Sequence, residues 1–383
     1  MTPIRSKNMT EIYLIRHAQA EGNRYHMMQG HWDGGVTALG RRQIEDLAER
    51  FRALPLDAVY ASDLYRARLT AGAAARWQDL PVTPVGALRE INVGPWEGRF
   101  FGDLQWEAPE AVRCFLSDPD HWFLEGAETY ADVTARAYPA LEAIAKRHEG
   151  QRVAVVSHGI TIRCLLAHIL GISLAETKNL PISGNTAVTR LLWEDGRFLA
   201  EYINDDSHLR EENRVSWRKA GDLRAEAMDL KRSRADYERC YTDAWLFAHG
   251  DLAGFAPEPY SDAAAGHQRV KPGSVLRFYE GEERAGLLDM DPLRGRHAGY
   301  GWISLLYLEP AYRGRGCGVQ LLARAYSFFR AQGRRAIRLH VADDNETALA
   351  FYRREGFRQI GFESGGHGKI LLMEKKLGVR DDA

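Results

Sequence analysis

Two histidines in this chain follow short apolar runs and stand beside residues suited to binding anions. An apolar run that begins at residue 11 ends in Arg16 and His17, and a second run that begins at residue 152 ends in His158 and Gly159. An imidazole can act as a nucleophile, and a neighbouring guanidinium can bind two phosphate oxygens at once. We therefore expect the two histidines to converge on one phosphoryl group.

Two further residues would complete a set for phosphoryl transfer. Arg66, in Ser62-Asp-Leu-Tyr-Arg-Ala, would bring a second guanidinium from the start of a helix. Nearby arginines lower the pKa of an imidazole, which keeps a nucleophilic histidine neutral. Glu90 is the best candidate for the acid that protonates the leaving oxygen. A pair of buried, hydrogen-bonded histidines is the alternative, and the presence of Arg16, Arg66 and Glu90 disfavours it.

Four segments around these residues stand in the order of the histidine phosphatase superfamily, and residues 10–209 resemble that family. They are Leu14-Ile-Arg-His-Ala, Ser62-Asp-Leu-Tyr-Arg-Ala, Leu88-Arg-Glu-Ile with Gly94-Pro-Trp-Glu-Gly, and Val156-Ser-His-Gly. The resemblance implies a three-layer α/β/α phosphoglycerate mutase-like fold with a mostly parallel sheet. It also implies a phosphohistidine at His17, a phosphate pocket completed by Arg16, Arg66 and His158, and acid/base catalysis by Glu90.

The same resemblance implies additional phosphate contacts from Asn23, Gln29 and Gly159. Two positions depart from the family pattern. Ala18 stands where glycine is usual, and Ala20 stands where a serine or threonine is common, so one hydroxyl contact is absent. The domain is short for a cofactor-dependent mutase, so we favour a phosphatase.

The elements that must position these residues alternate between strand and helix, which predicts an α/β sandwich. Ligands of such sheets bind at the carboxyl ends of the strands, where both histidines lie. Predicted strands are 11–16, 57–60, 153–157, 187–193 and 198–203, and predicted helices are 38–53, 64–76, 106–117, 129–147 and 160–170. Thr37 is the expected N-cap of the first of these helices.

The second half of the chain holds a turn with three glycines interleaved with arginines, Arg313-Gly-Arg-Gly-Cys-Gly318. Glycines let backbone N–H groups close around an anion, and a following helix adds the positive end of its dipole. The spacing is neither GxGxxG nor GxxxxGK[ST], so neither a dinucleotide fold nor a nucleoside triphosphatase is expected. A plain glycine-rich surface turn is the alternative.

This turn resembles the coenzyme A signature R-x-x-G-x-G of the GNAT superfamily of N-acetyltransferases, and residues 339–357 resemble that family's last strand and helix. The likeness is clear over 270–377. It implies an α+β domain with a mixed sheet that binds acetyl-CoA, and it implies that Tyr352 protonates the departing thiolate. A packed aromatic is the alternative for Tyr352. The implied cofactor contacts are Leu308, Arg313, Gly314, Arg315, Gly316, Cys317, Gly318 and Asn345.

A general base for the acetyl acceptor is not evident, and Asp289, Asp291 or a water are the candidates. The charged segment 205–235 is expected to be a helix that joins two domains, 1–209 and 210–383. An amphipathic helix is expected at 236–250, with a core role favoured over a wall of the acceptor site. Other expected elements are a loop at 254–273, strands at 275–280, 284–291, 301–308 and 336–342, and helices at 318–332 and 345–354.

Composition sets the remaining expectations. The chain has 383 residues, 27% of them charged, and a net charge of -1, which gives no indication of a nucleic-acid or membrane partner. Four scattered cysteines and the histidine spacing predict no metal site and a reducing, cytoplasmic location. The expected partners are a small phosphate ester and a small-molecule or peptide amine, with oligomerisation left open. A bifunctional enzyme is the first hypothesis; a mutase, or one silent domain used for ligand binding or regulation, are the alternatives.

Overall fold

The computed structural model describes residues 9–181, 183–214, 221–365 and 368–377. The described residues divide into two compact units. One unit holds those in 9–100 and 107–214, and the other holds those in 101–106 and 221–377. The part of the predicted charged helix at 215–220 lies outside the described residues.

The first unit is built on a six-stranded sheet in the order β3-β2-β4-β1-β5-β6. The strands are β1 (Thr10–Arg16), β2 (Ala58–Ala61), β3 (Val82–Pro84), β4 (Arg152–Ser157), β5 (Val188–Glu194) and β6 (Arg197–Asp205). The first four run parallel, and the last two add antiparallel strands at one side. This topology confirms the predicted mostly parallel sheet.

Helices cover both faces of this sheet. α2 (Ala38–Arg52) and α3 (Tyr65–Ala75) pack on one face, and α6 (Tyr130–Arg147) and α7 (Gly159–Leu170) pack on the other. The unit also contains α1 (Glu21–Tyr25) and α5 (Pro109–Ser117), whereas α4 (Phe101–Glu107) lies mostly in the second unit. Alternate residues of β1 enter different cores. Tyr13 and Ile15 pack with α2 and α3, whereas Ile12 and Leu14 pack with α6 and α7. Burial on both faces explains why residues 12–15 of the strand are all apolar.

Local sequence signals explain two helix boundaries. Thr37 caps α2 as predicted, since its side chain accepts the N–H of Gly40 at 3.0 Å. The predicted single helix at 106–117 is wrong, because α4 and α5 are separated at Ala108. Ala108 precedes Pro109 and has φ -142° and ψ 58°, since a residue before proline is excluded from the helical region.

The second unit is built on a seven-stranded sheet in the order β12-β13-β11-β10-β9-β8-β7. The strands are β7 (Arg224–Ala227), β8 (Val275–Glu280), β9 (Glu283–Asp291), β10 (Tyr300–Leu308), β11 (Ala336–Ala342), β12 (Arg358–Gly365) and β13 (Gly368–Lys376). The helices are α8 (Leu230–His249), α9 (Glu258–Val270), α10 (Gly318–Arg330) and α11 (Glu346–Arg354). Only β10 and β11 pair in parallel, which confirms the predicted mixed sheet.

Two predictions for this half are wrong. The charged segment 205–235 is no continuous helix, because β7 lies within it and α8 begins only at Leu230. β7 is an edge strand in which Glu226 is exposed, whereas Arg224 is buried and stacks on Tyr279 at 4.3 Å. The predicted loop at 254–273 contains α9, since proline is well placed in a first turn and alanine favours a helix.

A cleft opens where the parallel pair separates. β10 pairs with β11 only from Tyr300 to Trp302, and β10 has a register shift between Ile303 and Leu305 against β9. Beyond these pairs the facing residues 303–306 and 339–342 line a cavity of about 480 Å³. Within the described part of the chain, no helix has the length and apolar character needed to cross a membrane.

Candidate functional site

The parallel pairing of β1 with β4 brings the two histidines together. Arg16 is in register with Ser157, so His17 and His158 follow at the same edge of the sheet. Their ring centroids are 5.1 Å apart, and both residues are buried. The first unit therefore holds two imidazoles side by side at the carboxyl ends of adjacent strands.

One hydrogen bond sets the tautomer of His17. Its Nδ1 lies 2.7 Å from the carbonyl oxygen of Ala18, and because a carbonyl can only accept, Nδ1 carries the hydrogen. In the neutral ring the lone pair is then on Nε2. Nε2 is therefore the ring atom through which a neutral His17 could act as a nucleophile.

Both imidazoles are held neutral. Burial lowers the pKa of His17 well below its usual value, and the charges of Arg66 and Arg16 lower it further. The pKa of His158 is lowered well below its usual value by burial, Arg66, His17 and Arg16. A neutral His17 keeps its lone pair for phosphorus at physiological pH.

Two buried guanidiniums flank the histidines. Arg66 is fully buried and donates to the carbonyl oxygens of Gly30 at 2.8 Å and Trp32 at 3.2 Å. Arg16 donates to the carbonyl of Ser183. Gly159 lies against the guanidinium of Arg16, since a Cβ there would be 3.4 Å from Nε. These bonds fix the orientation of both positive charges.

Several buried polar atoms around the histidines have no hydrogen-bond partner among the described residues. They are both ring nitrogens of His158 and the Nε atoms of Arg16 and Arg66. The side-chain amide of Gln29, which lies beside Gly22, is likewise buried and has no described partner. Unsatisfied buried polar groups are costly, and they occur where a ligand supplies the partner. A phosphate, with oxygens on every side, fits this set of donors.

Glu90 lies across the amino terminus of α7. Its carboxylate accepts the N–H groups of Ile160 at 3.1 Å and Thr161 at 3.0 Å, and the hydroxyl of Thr161 at 3.2 Å. Arg136 donates to the carbonyl of Glu90 at 2.9 Å and so holds the loop in place. The carboxyl group stands next to the helix that begins at Gly159.

Other side chains support the site without having been predicted to do so. The Asn185 amide donates to the carbonyl of His17 at 3.0 Å and to Asn23 Oδ1 at 3.3 Å. Asn23 Oδ1 also accepts the N–H of Ala20, so this oxygen braces the loop. The hydroxyl oxygen of Thr70 accepts the backbone N–H of Ala18, the residue after His17. Asn185, Thr70 and Arg136 act through contacts between distant segments, which carry no local sequence signal.

In the second unit the glycine-rich turn has the backbone that its sequence predicts. Gly314 and Gly316 have φ values of 73° and 87°, which favour glycine. The N–H groups from Gly314 to Gly318 donate to no other described residue. A Cβ at Gly318 would lie 3.0 Å from the ring of Phe351. The turn and the start of α10 thus present free donors that suit a pyrophosphate.

Both arginines of this turn are paired within the unit. Arg313 donates from Nε to the carbonyl of Leu308 at 3.0 Å and pairs with Asp243. Arg315 pairs with Glu280 at 3.0 Å. The bond between Arg313 and Leu308 therefore stabilises the turn. Cys317, which is part of the turn, is buried.

The cavity between β10 and β11 gathers the other predicted residues of this unit. Tyr352 lines it beside Asn345, whose side chain caps α11 by accepting the N–H of Ala348 at 3.0 Å. Burial raises the pKa of Tyr352. From α8, Tyr241 and Trp245 line the same cavity, while Tyr237 belongs to both the cavity wall and the core. No group of three or more His, Cys, Asp or Glu residues in the described chain has metal-binding geometry.

Comparisons with known proteins agree with this division. Residues 12–206 match the histidine phosphatase superfamily (branch 1), and residues 217–357 match the acetyltransferase (GNAT) family. Phosphoserine phosphatase 1 of Hydrogenobacter thermophilus is 30% identical over 203 residues, 53% of this chain and 96% of that protein. Probable phosphoglycerate mutase GpmB of Salmonella choleraesuis is 30% identical over 52% of this chain and 95% of that protein. The solved structure of Bacillus stearothermophilus YhfR is 32% identical, with a TM-score of 0.51, over 52% of this chain and 98% of that one.

The depressed pKa values of the two histidines predict a pH-dependent stability. In the folded chain, the pKa of each histidine lies below the unfolded value of about 6.5. The contribution of these histidines to the free energy of unfolding is therefore fully present above pH 6.5 and is lost as the pH falls. Each histidine contributes up to about 1.4 kcal/mol per pH unit. Urea unfolding between pH 6.5 and 5.5 should give a shallower slope for His158→Gln than for the wild type. His168→Gln, an exposed histidine on the same helix, should retain the wild-type slope; equal slopes for all three would contradict the assignment.

Proposed function

Because the chain belongs to the histidine phosphatase superfamily (branch 1), we propose that residues 1–209 hydrolyse phosphomonoesters through a phosphohistidine at His17. The observation that carries this proposal is the set of buried, unpartnered polar atoms on His158, Arg16 and Arg66 around a neutral imidazole. These atoms support binding of one phosphoryl group beside Nε2.

In the proposed reaction, Nε2 of His17 attacks phosphorus in line with the ester oxygen. Arg16, Arg66 and His158 stabilise the charge on the equatorial oxygens, which is the main contribution that a protein makes to phosphoryl transfer. Glu90 gives a proton to the leaving oxygen, and it later takes a proton from the water that attacks the phosphohistidine.

Removal of the nucleophile is the first test. His17→Ala should release phosphate only at the background rate from a panel of phosphomonoesters that includes phosphoserine. The matched control is His168→Ala, which removes an exposed histidine and should keep wild-type activity. Circular dichroism checks that both variants are folded.

A phosphoglycerate mutase is the second candidate, because one of the relatives carries that name. It would isomerise a phosphoglycerate without net release of phosphate. Absence of both release and isomerisation in the wild-type chain would contradict catalysis by this unit and leave a binding role.

The role of Glu90 predicts a dependence on the leaving group. An alkoxide needs a proton as it departs, whereas p-nitrophenolate does not. For Glu90→Gln we expect the turnover of an alkyl phosphate to fall by about 10²-fold or more, and that of p-nitrophenyl phosphate to fall much less. Equal losses for the two esters would assign Glu90 a purely structural role.

For the second unit we propose that residues 210–383 transfer the acetyl group of acetyl-CoA to an amine. The free N–H groups from Gly314 to Gly318 fit the pyrophosphate, and Asn345 and Tyr352 stand in the adjoining cavity. Acetyl-CoA supplies an activated thioester when it is bound. Tyr352 would hold a proton for the departing thiolate, which suits a phenol kept protonated by burial.

Tyr352→Phe tests this role. The variant should lower kcat by about 10²-fold with little change in the KM for acetyl-CoA, measured as thiol release with a panel of primary amines. Tyr326→Phe, which removes the hydroxyl of a buried tyrosine outside the cavity, should leave kcat unchanged. A matching loss in both variants would show a general packing effect.

The two activities together make the chain a bifunctional enzyme in this proposal. A phosphorylated amine that is both acetylated and dephosphorylated would unite them. The same panel tests this idea, since it requires one compound that is a substrate for both units.

A further inference from the structure

A chain of polar side chains crosses the wall of the second unit's cavity. Tyr237 comes from α8, His267 from α9, and Asp289 and Asp291 from β9, and all four line the cavity. The first oxygen of Asp289 lies 2.8 Å from His267 Nδ1, and the second accepts the hydroxyl of Tyr237 at 2.8 Å. On the other side of the ring, Nε2 of His267 lies 3.4 Å from Asp291 Oδ2.

Asp289 is fully engaged by these contacts. It is 1% exposed, and each of its oxygens already accepts a hydrogen bond. Both oxygens are therefore used to hold the side chains of Tyr237 and His267 in place. What Asp289 does is fix His267, because a carboxylate can only accept and so Nδ1 must carry the hydrogen.

This tautomer leaves Nε2 of His267 as the ring atom with the lone pair when the imidazole is neutral. The separation of 3.4 Å between Nε2 and Asp291 Oδ2 is at the loose limit of a hydrogen bond. Asp291 uses its other oxygen to accept the N–H groups of Leu293 and Arg294. The contact of Nε2 with Asp291 is thus longer than the contact of Nδ1 with Asp289, 3.4 Å against 2.8 Å.

We propose that His267 is the general base that takes the proton from the acetyl acceptor in the second unit. Asp289 and Tyr237 act as positioning residues, and Asp291 sets the proton affinity of the ring. The inference rests on the proposed acetyl transfer and replaces Asp289, Asp291 or a water as the base.

The charges that face His267 match it to an aliphatic amine. Burial alone would lower the pKa of His267, but hydrogen bonds to Asp289 and Asp291 raise it to about 9. Tyr237 and Tyr241 of α8 add no charge, because burial raises their pKa values. An alkylammonium with a pKa near that of lysine, about 10.4, can transfer a proton to such a base at little free-energy cost.

The proton balance of the reaction is complete with these groups. The ammonium gives one proton to Nε2 of His267, and its nitrogen lone pair forms a bond to the thioester carbonyl carbon. The carbon–sulfur bond breaks, and the thiolate takes the proton of Tyr352. Tyr352 recovers a proton from the new amide nitrogen, and His267 returns its proton to water. The products are an amide, a thiol and one released proton.

The test is the pH profile of kcat/KM for thiol release by the full-length chain, with acetyl-CoA and one primary alkylamine, from pH 6 to 10. The wild type should show a rising limb with a component near pH 9. Asp291→Asn removes a negative charge beside Nε2, so this component should move down by about one pH unit and the rate at pH 7 should rise several-fold. His267→Gln should remove the component and lower kcat by about 10²-fold.

Matched controls separate the alternatives. Asp262→Asn removes an exposed carboxylate from the same helix and should leave the profile unchanged. Tyr237→Phe should lower kcat several-fold without changing the KM for acetyl-CoA. A direct titration of the His267 imidazole by NMR, assigned by its loss in His267→Gln, should give the same shift in Asp291→Asn.

Three results would overturn the proposal. Loss of kcat at every pH in Asp291→Asn, with activity retained in His267→Gln, would make Asp291 the base. If the rising limb of the kcat/KM profile stays at the same pH in Asp291→Asn, the limb reports ionisation of the amine substrate and not of His267. Absence of thiol release with every amine in the wild type would instead show that the proposed acetyl transfer is wrong.

Discussion

The parallel pairing of β1 with β4 is the constraint on which the first site depends. It places Arg16 in register with Ser157, and the next residue of each strand is a histidine. Burying two imidazoles and two guanidiniums in one place costs free energy. This cost is reduced because the imidazoles are neutral and because each guanidinium donates hydrogen bonds to backbone carbonyls. In the proposed function, a phosphate supplies the remaining hydrogen-bond partners.

In the second unit the candidate site lies where two paired strands separate, and not where they pair. β10 and β11 pair over only three residues, and the gap beyond them becomes the cavity. Helices α8 and α9 close one side with aromatic rings and with His267, whose two nitrogens face carboxylates on β9. Sheet geometry therefore decides where each site lies, while burial and charge decide the protonation state of the groups within it.

The sequence predicted the fold class, because the alternation of strands and helices appears in short local patterns. Apolar runs that end in Arg16, His17 and His158 specify strands and their termini at once. Predictions of individual strands and helices were wrong where tertiary contacts override the local preference of the residues. β7 forms within a charged segment because it pairs with β8, and α9 forms where prolines and alanines predicted a loop. The bracing roles of Thr70 and Arg136, and the network around His267, depend on contacts between distant segments that carry no local signal.

The strand order of the first unit also bears on how the chain folds during synthesis. β4 lies between β1 and β2, and Glu11 pairs with Arg152, so the first strand has no parallel neighbour until residue 157 has left the ribosome. Its other neighbour, β5, emerges later still. A nascent chain of intermediate length therefore exposes both edges of an apolar strand, the feature that promotes aggregation and chaperone binding. The same strand order that brings the two histidines together in the finished chain therefore leaves the incomplete chain prone to aggregation during synthesis.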